Sequence, residues 1–246
     1  MGRLPIDIDG VHTDVSQTHD ERVHSLASSV VDLVLGRACA GCGWPGMVLC
    51  PDCRADVTPR PRLRRDLDLS DLVDGLRVPV ACSLDYRGTV RHILYRYKDH
   101  GIRELGTAVS PALVASIQHI IQVTHADHCK VTVTPLPTRQ TNRRRRGFDH
   151  VDLVGRHASS AIPHARFRPL LRDVRSESGT KHLSALERST SAQSAFTLVR
   201  GFEPPAHPVV VVDDIVTTGS TAREAVATLI TAGAHVLGVA TVAGTP

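Results

Sequence analysis

The chain has 246 residues, 41% hydrophobic and 22% charged, with a formal charge of +4 and a pI near 8.9. That is the composition of a soluble globular protein, with length for one large domain or for one domain and a small module. No stretch approaches the length of a membrane span, and no basic-then-apolar signal segment opens the chain. The expected compartment is therefore the cytoplasm, with no membrane partner. The mild positive charge suits a polyanionic ligand without requiring nucleic acid. Lys98, Lys130 and Lys181 are the only lysines; arginine favours bidentate phosphate contacts, although a GC-rich genome accounts for the same bias.

Residues 1–20 lack periodicity and are expected to form a disordered leader. Residues 21–35 predict a helix with Val23, Leu26, Val30, Val31, Val34 and Leu35 as its apolar face, ended by Gly36. Two CxxC pairs follow, Cys39 with Cys42 and Cys50 with Cys53, around a seven-residue loop containing Gly43, Pro45 and Gly46. Disulfides are not expected in a cytoplasmic chain. Four thiolates in paired knuckles suit structural Zn²⁺ with no open coordination position, and a redox pair is the second reading. Cys82 and Cys129 are isolated and expected to be buried thiols. Residues 57–65, rich in Pro and Arg, read as a linker closing a module of residues 21–65. The larger domain takes residues 66–246.

Within that domain a strand is expected at 78–84 and a helix at 88–98. A second helix, or a pair broken at Pro111, is expected at 103–122. A short strand at 131–134 runs into Pro135-Leu136-Pro137-Thr138-Arg139 and then into Arg143, Arg144, Arg145, Arg146, Gly147 and Phe148. An arginine-rich loop after a strand suits phosphate or pyrophosphate. It also has the look of a solvated charge run, and a nucleic-acid patch is a third reading, disfavoured by an aromatic content of 3%. A helix is expected at 148–161, a polar lid-like loop at 172–188, and strands at 194–199 and 235–242. No internal repeat is visible.

Residues 209–221 are the most informative stretch. Val209 to Val212 are four consecutive valines and read as a strand buried on both faces. Asp213 and Asp214 close it, Thr217-Thr218-Gly219-Ser220-Thr221 form a turn, and a helix follows with Ala222, Ala225, Val226, Leu229 and Ile230 on its apolar stripe. Such an order puts the turn at the carboxyl end of a parallel sheet, where α/β folds bind ligands. Gly219 lets the backbone approach a ligand, Ser220 or Thr221 is expected to cap the helix, and its first N–H groups suit a phosphate. Two carboxylates suit a sugar diol. The stretch therefore asks for a ribose phosphate.

These residues resemble the phosphoribosyl-pyrophosphate (PRPP) signature of type I phosphoribosyltransferases. Together with the cysteine quartet, Tyr95-Arg96-Tyr97-Lys98, Pro135-Leu136-Pro137 and Arg146-Gly147-Phe148, they resemble the ComF (GntX-like) family over residues 30–246. The resemblance implies an α/β phosphoribosyltransferase fold, with a central, mainly parallel sheet flanked by helices and a small N-terminal zinc knuckle. It implies PRPP with Mg²⁺, Asp213 and Asp214 on the ribose hydroxyls, Thr217 to Thr221 on the 5′-phosphate, and Lys98, Arg139 and Arg143 on pyrophosphate. Lys181 falls in the flexible loop. The implied activity is phosphoribosyl transfer to an unidentified nitrogen-base acceptor, with pyrophosphate departing. The alternative it implies is a competence accessory protein in DNA uptake, with a helicase or single-stranded DNA as partner and a regulatory PRPP site. Asp149-His150 stand where the family has Asn-Gln, Lys181-His182 stand before Leu183-Ser184, and Thr217 replaces a carboxylate of purine-salvage relatives. The changes at 149–150 and 181–182 are expected to bear on the second substrate.

Overall fold

The computed structural model describes residues 37–139, 147–174 and 195–245. The leader, the helix expected at 21–35, Arg143 with its arginine neighbours, and Lys181 with most of the expected lid lie outside the described residues.

The element order is α1 (Pro51–Asp56), β1 (Arg62–Leu63), β2 (Leu67–Asp68), β3 (Arg77–Val78), β4 (Val80–Asp85), α2 (Gly88–Asp99), α3 (Glu104–Val123) and β5 (Val131–Pro135). It continues with α4 (His150–Ser160), β6 (Ala165–Phe167), β7 (Leu171–Asp173), β8 (Phe196–Leu198), β9 (Val209–Val216), α5 (Ser220–Thr231) and β10 (Val236–Gly244). Six strands form one sheet in the order β1-β4-β10-β9-β5-β6. All neighbouring pairs are parallel except β1 with β4. The mixed α/β class with a mainly parallel sheet, and the four-cysteine group at its N-terminal side, are as expected from the sequence.

Both faces of the sheet are covered, which is why its central strands read as unbroken apolar runs. Val210 and Val212 pack with α2, α3 and α4 on one face. Val209 and Val211 pack with α5 and the β2–β3 and β7–β8 hairpins on the other. Alternation along a strand sends successive side chains to opposite faces.

The order also fixes where a ligand can sit. From β5 the chain runs through α4 to β6 on one side; from β9 it runs through α5 to β10 on the other. The two helices pack on opposite faces of the sheet. The loops after the neighbouring strands β5 and β9 thus separate and leave a crevice at their carboxyl ends, a topological switch point.

One open alternative is decided and two expectations are corrected. Pro111 does not break α3, which is continuous from Glu104 to Val123; Pro111 and Thr107, whose carbonyl loses its partner to the proline, both lie on the exposed face, where water can satisfy it. The stretch 57–65 is not merely a linker, because β1 joins the sheet edge within it. Arg60 and Arg64 donate their backbone N–H groups to Ser83 and Val80, and an edge strand tolerates the flanking prolines. Cys82 is buried as expected, but Cys129 is exposed, since it lies in the turn between α3 and β5. The knuckle is also not a detached unit: Cys39, Leu49, Cys53 and Val57 share one core with Val90, Ile93 and Leu94 of α2.

The tightest backbone approach is at Gly238, where a Cβ would lie 2.9 Å from the Pro79 carbonyl oxygen and 2.8 Å from Ile120. Gly238→Ala is expected to destabilise the fold by about 1–3 kcal/mol through overpacking. Chemical denaturation checks it, and an unchanged midpoint would show that the β10–β4 seam yields more easily than its geometry implies.

Candidate functional site

The crevice at the switch point is a cavity of about 440 Å³. Its walls are Leu136 to Arg139 after β5, Asp213 to Ala222 after β9, Lys98 from α2, His150 and Val151 from α4, and Tyr86 and Thr241. Of the site residues singled out in the sequence, Lys98, Arg139, Asp213, Asp214, Thr217, Thr218, Gly219, Ser220 and Thr221 are brought together here.

The turn after β9 has one conformational requirement. Gly219 sits at φ 79° as the N-cap of α5, in the left-handed region that favours glycine. A Cβ there would also lie 2.9 Å from Leu67 Cδ2 of the β2–β3 hairpin. The expected hydroxyl cap from Ser220 or Thr221 is therefore corrected: Ser220 is already the first helical residue, and no side chain caps the end. Thr218 Oγ1 instead accepts from Ser220 N at 3.4 Å. Thr217, Thr218, Ser220 and Thr221 are all exposed, beside first-turn N–H groups that have no carbonyl partner within the helix. Hydroxyl and amide donors thus converge as an anion cradle.

The two aspartates are not equivalent. Asp214 is almost wholly buried, and its Oδ2 has His150 Nε2 at 3.0 Å and Lys98 Nζ at 3.3 Å. Burial works against its charge, but His150 and then Lys98 outweigh it and hold the carboxyl below the usual carboxylate range. Asp213 is less enclosed, and its Oδ1 accepts from Asp214 N at 2.8 Å. Burial and then the neighbouring Asp214 carboxylate push Asp213 up. One member of the pair is held as an anion and the other resists becoming one.

The loop between β5 and α4 is anchored at both ends. Asp149 caps α4 by accepting from Val151 N and Asp152 N, and Thr138 Oγ1 donates to the same carboxylate at 3.0 Å. Arg103 donates to the Gly147 carbonyl and lies over the Phe148 ring. Asp149 thus caps a helix, and His150 contacts Asp214 from the cavity wall. Tyr86 was missed as a lining residue, and His150, singled out for a second substrate, was missed as a partner of Asp214. The available signal for His150 was a histidine opening a helix directly after the N-cap Asp149.

A second site is the cysteine quartet. The Sγ atoms of Cys39, Cys42, Cys50 and Cys53 lie within 4.8 Å of one another, and Cys50 N donates to Cys39 Sγ. Burial opposes charge on Cys39, but N–H groups of Cys50, Cys42 and Gly41 outweigh it and bring that thiol down to about 6. Burial and the Cys50 sulfur push Cys53 up. A Cβ on Gly41 would stand 2.6 Å from Cys53 Sγ, so the backbone is drawn in closely around the sulfurs. The group could hold a metal ion such as zinc.

No family model matches the chain. It is similar to Competence protein F of Haemophilus influenzae, with 30% identity over 102 residues. That match takes in 41% of this chain and 44% of the relative, so the chain spans less than half the length of the curated protein it matches. The resemblance read from the motifs therefore has a curated counterpart. A solved structure of Leishmania donovani UMP synthase aligns with 76% of this chain and 29% of its own at 15% identity. Its TM-score of 0.32 is too low to carry an argument. Among the described residues, no helix is long and apolar enough to cross a membrane.

Two expectations arise from this geometry. Purified protein should carry about one metal ion per chain at the cysteines, and chelation should lower the thermal midpoint, because those cysteines belong to the main core; metal-free protein of undiminished stability would contradict it. For Asp214, a depressed folded-state pKa means its stabilising share is complete above the unfolded value near 4 and is lost as pH falls through the folded one. Asp214→Asn should cost about 3 kcal/mol at pH 7 by stranding buried partners, and the gap to the parent should narrow below about pH 4. Denaturant midpoints across that range check it, and a constant gap would show that charge is not the source.

Proposed function

We propose that the cavity binds PRPP with Mg²⁺ and that the chain is a phosphoribosyltransferase-domain protein of the ComF type, its domain taking in β1 as well as residues 66–246 and its knuckle holding structural Zn²⁺. The observation that carries the reading is the union, in one crevice, of an anion cradle at Thr217 to Thr221 with a buried, ionised carboxylate and a second carboxylate beside it. A phosphate alone would be repelled by the ionised Asp214. A ribose 5-phosphate presents hydroxyls to the carboxylates and its phosphate to the cradle.

On this reading the residues divide the donor between them. Thr217, Thr218, Ser220 and Thr221 donate to the 5′-phosphate with the amides of the α5 N-terminus. Asp213 and Asp214 accept from the ribose hydroxyls. Arg139, with Arg143 outside the described residues, meets the pyrophosphate by charge-assisted hydrogen bonds; Lys98, at the same wall, adds positive charge. Magnesium, when bound, neutralises the leaving group. In transfer, the bond from the anomeric carbon to the pyrophosphate oxygen breaks with its electron pair leaving on pyrophosphate, and a nitrogen nucleophile forms the new bond to that carbon. The protein's share is positioning and preorganised charge.

Similarity to a protein named Competence protein F favours a second reading, in which the chain serves DNA uptake beside a helicase or single-stranded DNA and PRPP binding is regulatory. Pyrophosphate release distinguishes the two: turnover with some base among a panel supports transfer, and binding without turnover supports regulation.

Titration calorimetry with PRPP and Mg²⁺ tests the site itself. Asp213→Asn should leave stability equal or higher, since it removes a carboxylate that the fold disfavours, and should weaken PRPP binding by about tenfold or more. Equal affinity in parent and variant would remove Asp213 from the site, and a parent that binds no PRPP would overturn the reading.

A further inference from the structure

We propose that His150 is a positioning residue for the ribose subsite, fixing the orientation of Asp214 so that a sugar hydroxyl meets a carboxylate already in place. The inference rests on the reading of the cavity as a ribose-phosphate site.

The geometry is that of a clamp. Asp214 lines the cavity, yet its Oδ2 is turned into the protein, where His150 Nε2 at 3.0 Å and Lys98 Nζ at 3.3 Å approach it from two different helices. Turning that carboxylate would pull it away from both, in a place where side-chain exposure is only 3%. Buried charge without compensation is costly, so the rotamer is held, and the ligand meets the remaining edge of the carboxylate.

The two partners contribute differently. Lys98 is about one-third exposed (34%) and ends a long flexible stem; it brings charge more than direction. His150 is buried and itself held. Tyr97 Oη donates to the His150 carbonyl at 2.6 Å, the Tyr97 ring stands edge-on to the imidazole, and Asp149 caps the helix that His150 opens. A held ring whose Nε2 stands 3.0 Å from one carboxylate oxygen limits how that carboxylate can turn, which is how a supporting residue orients a binding group. Core packing alone does not account for it, because an apolar side chain of similar size would fill the space without meeting Oδ2.

Two substitutions separate these roles. His150→Gln keeps an N–H donor, and His150→Leu keeps volume without one. Affinities of the full chain for inorganic phosphate, ribose 5-phosphate and 2-deoxyribose 5-phosphate are measured by calorimetry. The leucine variant should bind ribose 5-phosphate about tenfold more weakly, bind inorganic phosphate as the parent does, and lose the parent's preference for ribose over deoxyribose. The glutamine variant should keep both affinity and preference. Leucine binding ribose 5-phosphate like the parent, or glutamine losing as much as leucine, would overturn the proposal while leaving the site intact. If the leucine variant does not fold, His150→Ala assayed with and without imidazole decides it, with recovery expected and its absence overturning the role. A parent that binds neither sugar phosphate nor PRPP would overturn the site and this inference together.

Discussion

Asp214 is a carboxylate buried in the middle of the protein, and much of the architecture around the cavity follows from that constraint. A buried ion must be compensated nearby. Its two partners, the Lys98 ammonium and the His150 imidazole, come from α2 and α4, elements separated by some fifty residues of chain. The same need draws in Tyr97, whose hydroxyl finds its own partner on His150. Gly106 is part of this arrangement, since a Cβ there would stand 3.2 Å from the Tyr97 ring. Three helices on one face of the sheet are thus located relative to β9 by one charge as well as by apolar packing.

The opposite wall is organised differently. Among the described residues no ion pair sits at the turn after β9; what holds the turn is close approach, with Leu67 of the β2–β3 hairpin against Gly219. Arg223 of α5 reinforces it, donating to the Asp68 carbonyl and pairing with Asp71. The hairpin therefore backs the anion cradle, and the hydroxyls of Thr217 to Thr221 stay turned to the cavity. One wall is a fixed charge and the other a surface of donors. A ligand that is anionic at one end and rich in hydroxyls at the other satisfies both.

Much of this was legible in the sequence, and the parts that were not have identifiable reasons. The valine run at 209–212 announces a strand buried on both faces because no polar residue interrupts either periodicity, and the acidic pair, the glycine and the hydroxyls that follow are local features read in order. The asymmetry between Asp213 and Asp214 is not local. It depends on which carboxylate turns toward α2 and α4, and hence on packing between elements distant in sequence. The contact of His150 with Asp214 escaped for the same reason: its neighbour in sequence caps a helix, whereas its partner in space lies 64 positions away. Residues 57–65 read as a linker because Pro59 and Pro61 are poor strand formers, yet an edge strand needs few of their donors. At Cys129 the expectation followed the average burial of cysteine, which a residue in a turn does not obey.

Asp149 and His150 adjoin in the chain but serve two parts of the cavity at once. Asp149 receives Thr138 from the loop that follows β5, and His150 receives Asp214 from the end of β9. The N-terminus of α4 is therefore a rigid joint between the strand ends that form the crevice. Nothing of that kind is required merely to close an α/β core, where apolar contacts between α4 and the sheet would suffice. A joint of polar contacts is sensible where two groups must keep a fixed separation, because a hydrogen bond such as that of Thr138 to Asp149 and a close polar contact such as that of His150 with Asp214 restrict separation more than apolar contacts, which tolerate slippage. On the proposed reading of the cavity as a donor site, the groups to be kept apart are those that would hold the sugar and those that would hold its leaving group, and the short stretch at 149–150 would tie their supports together.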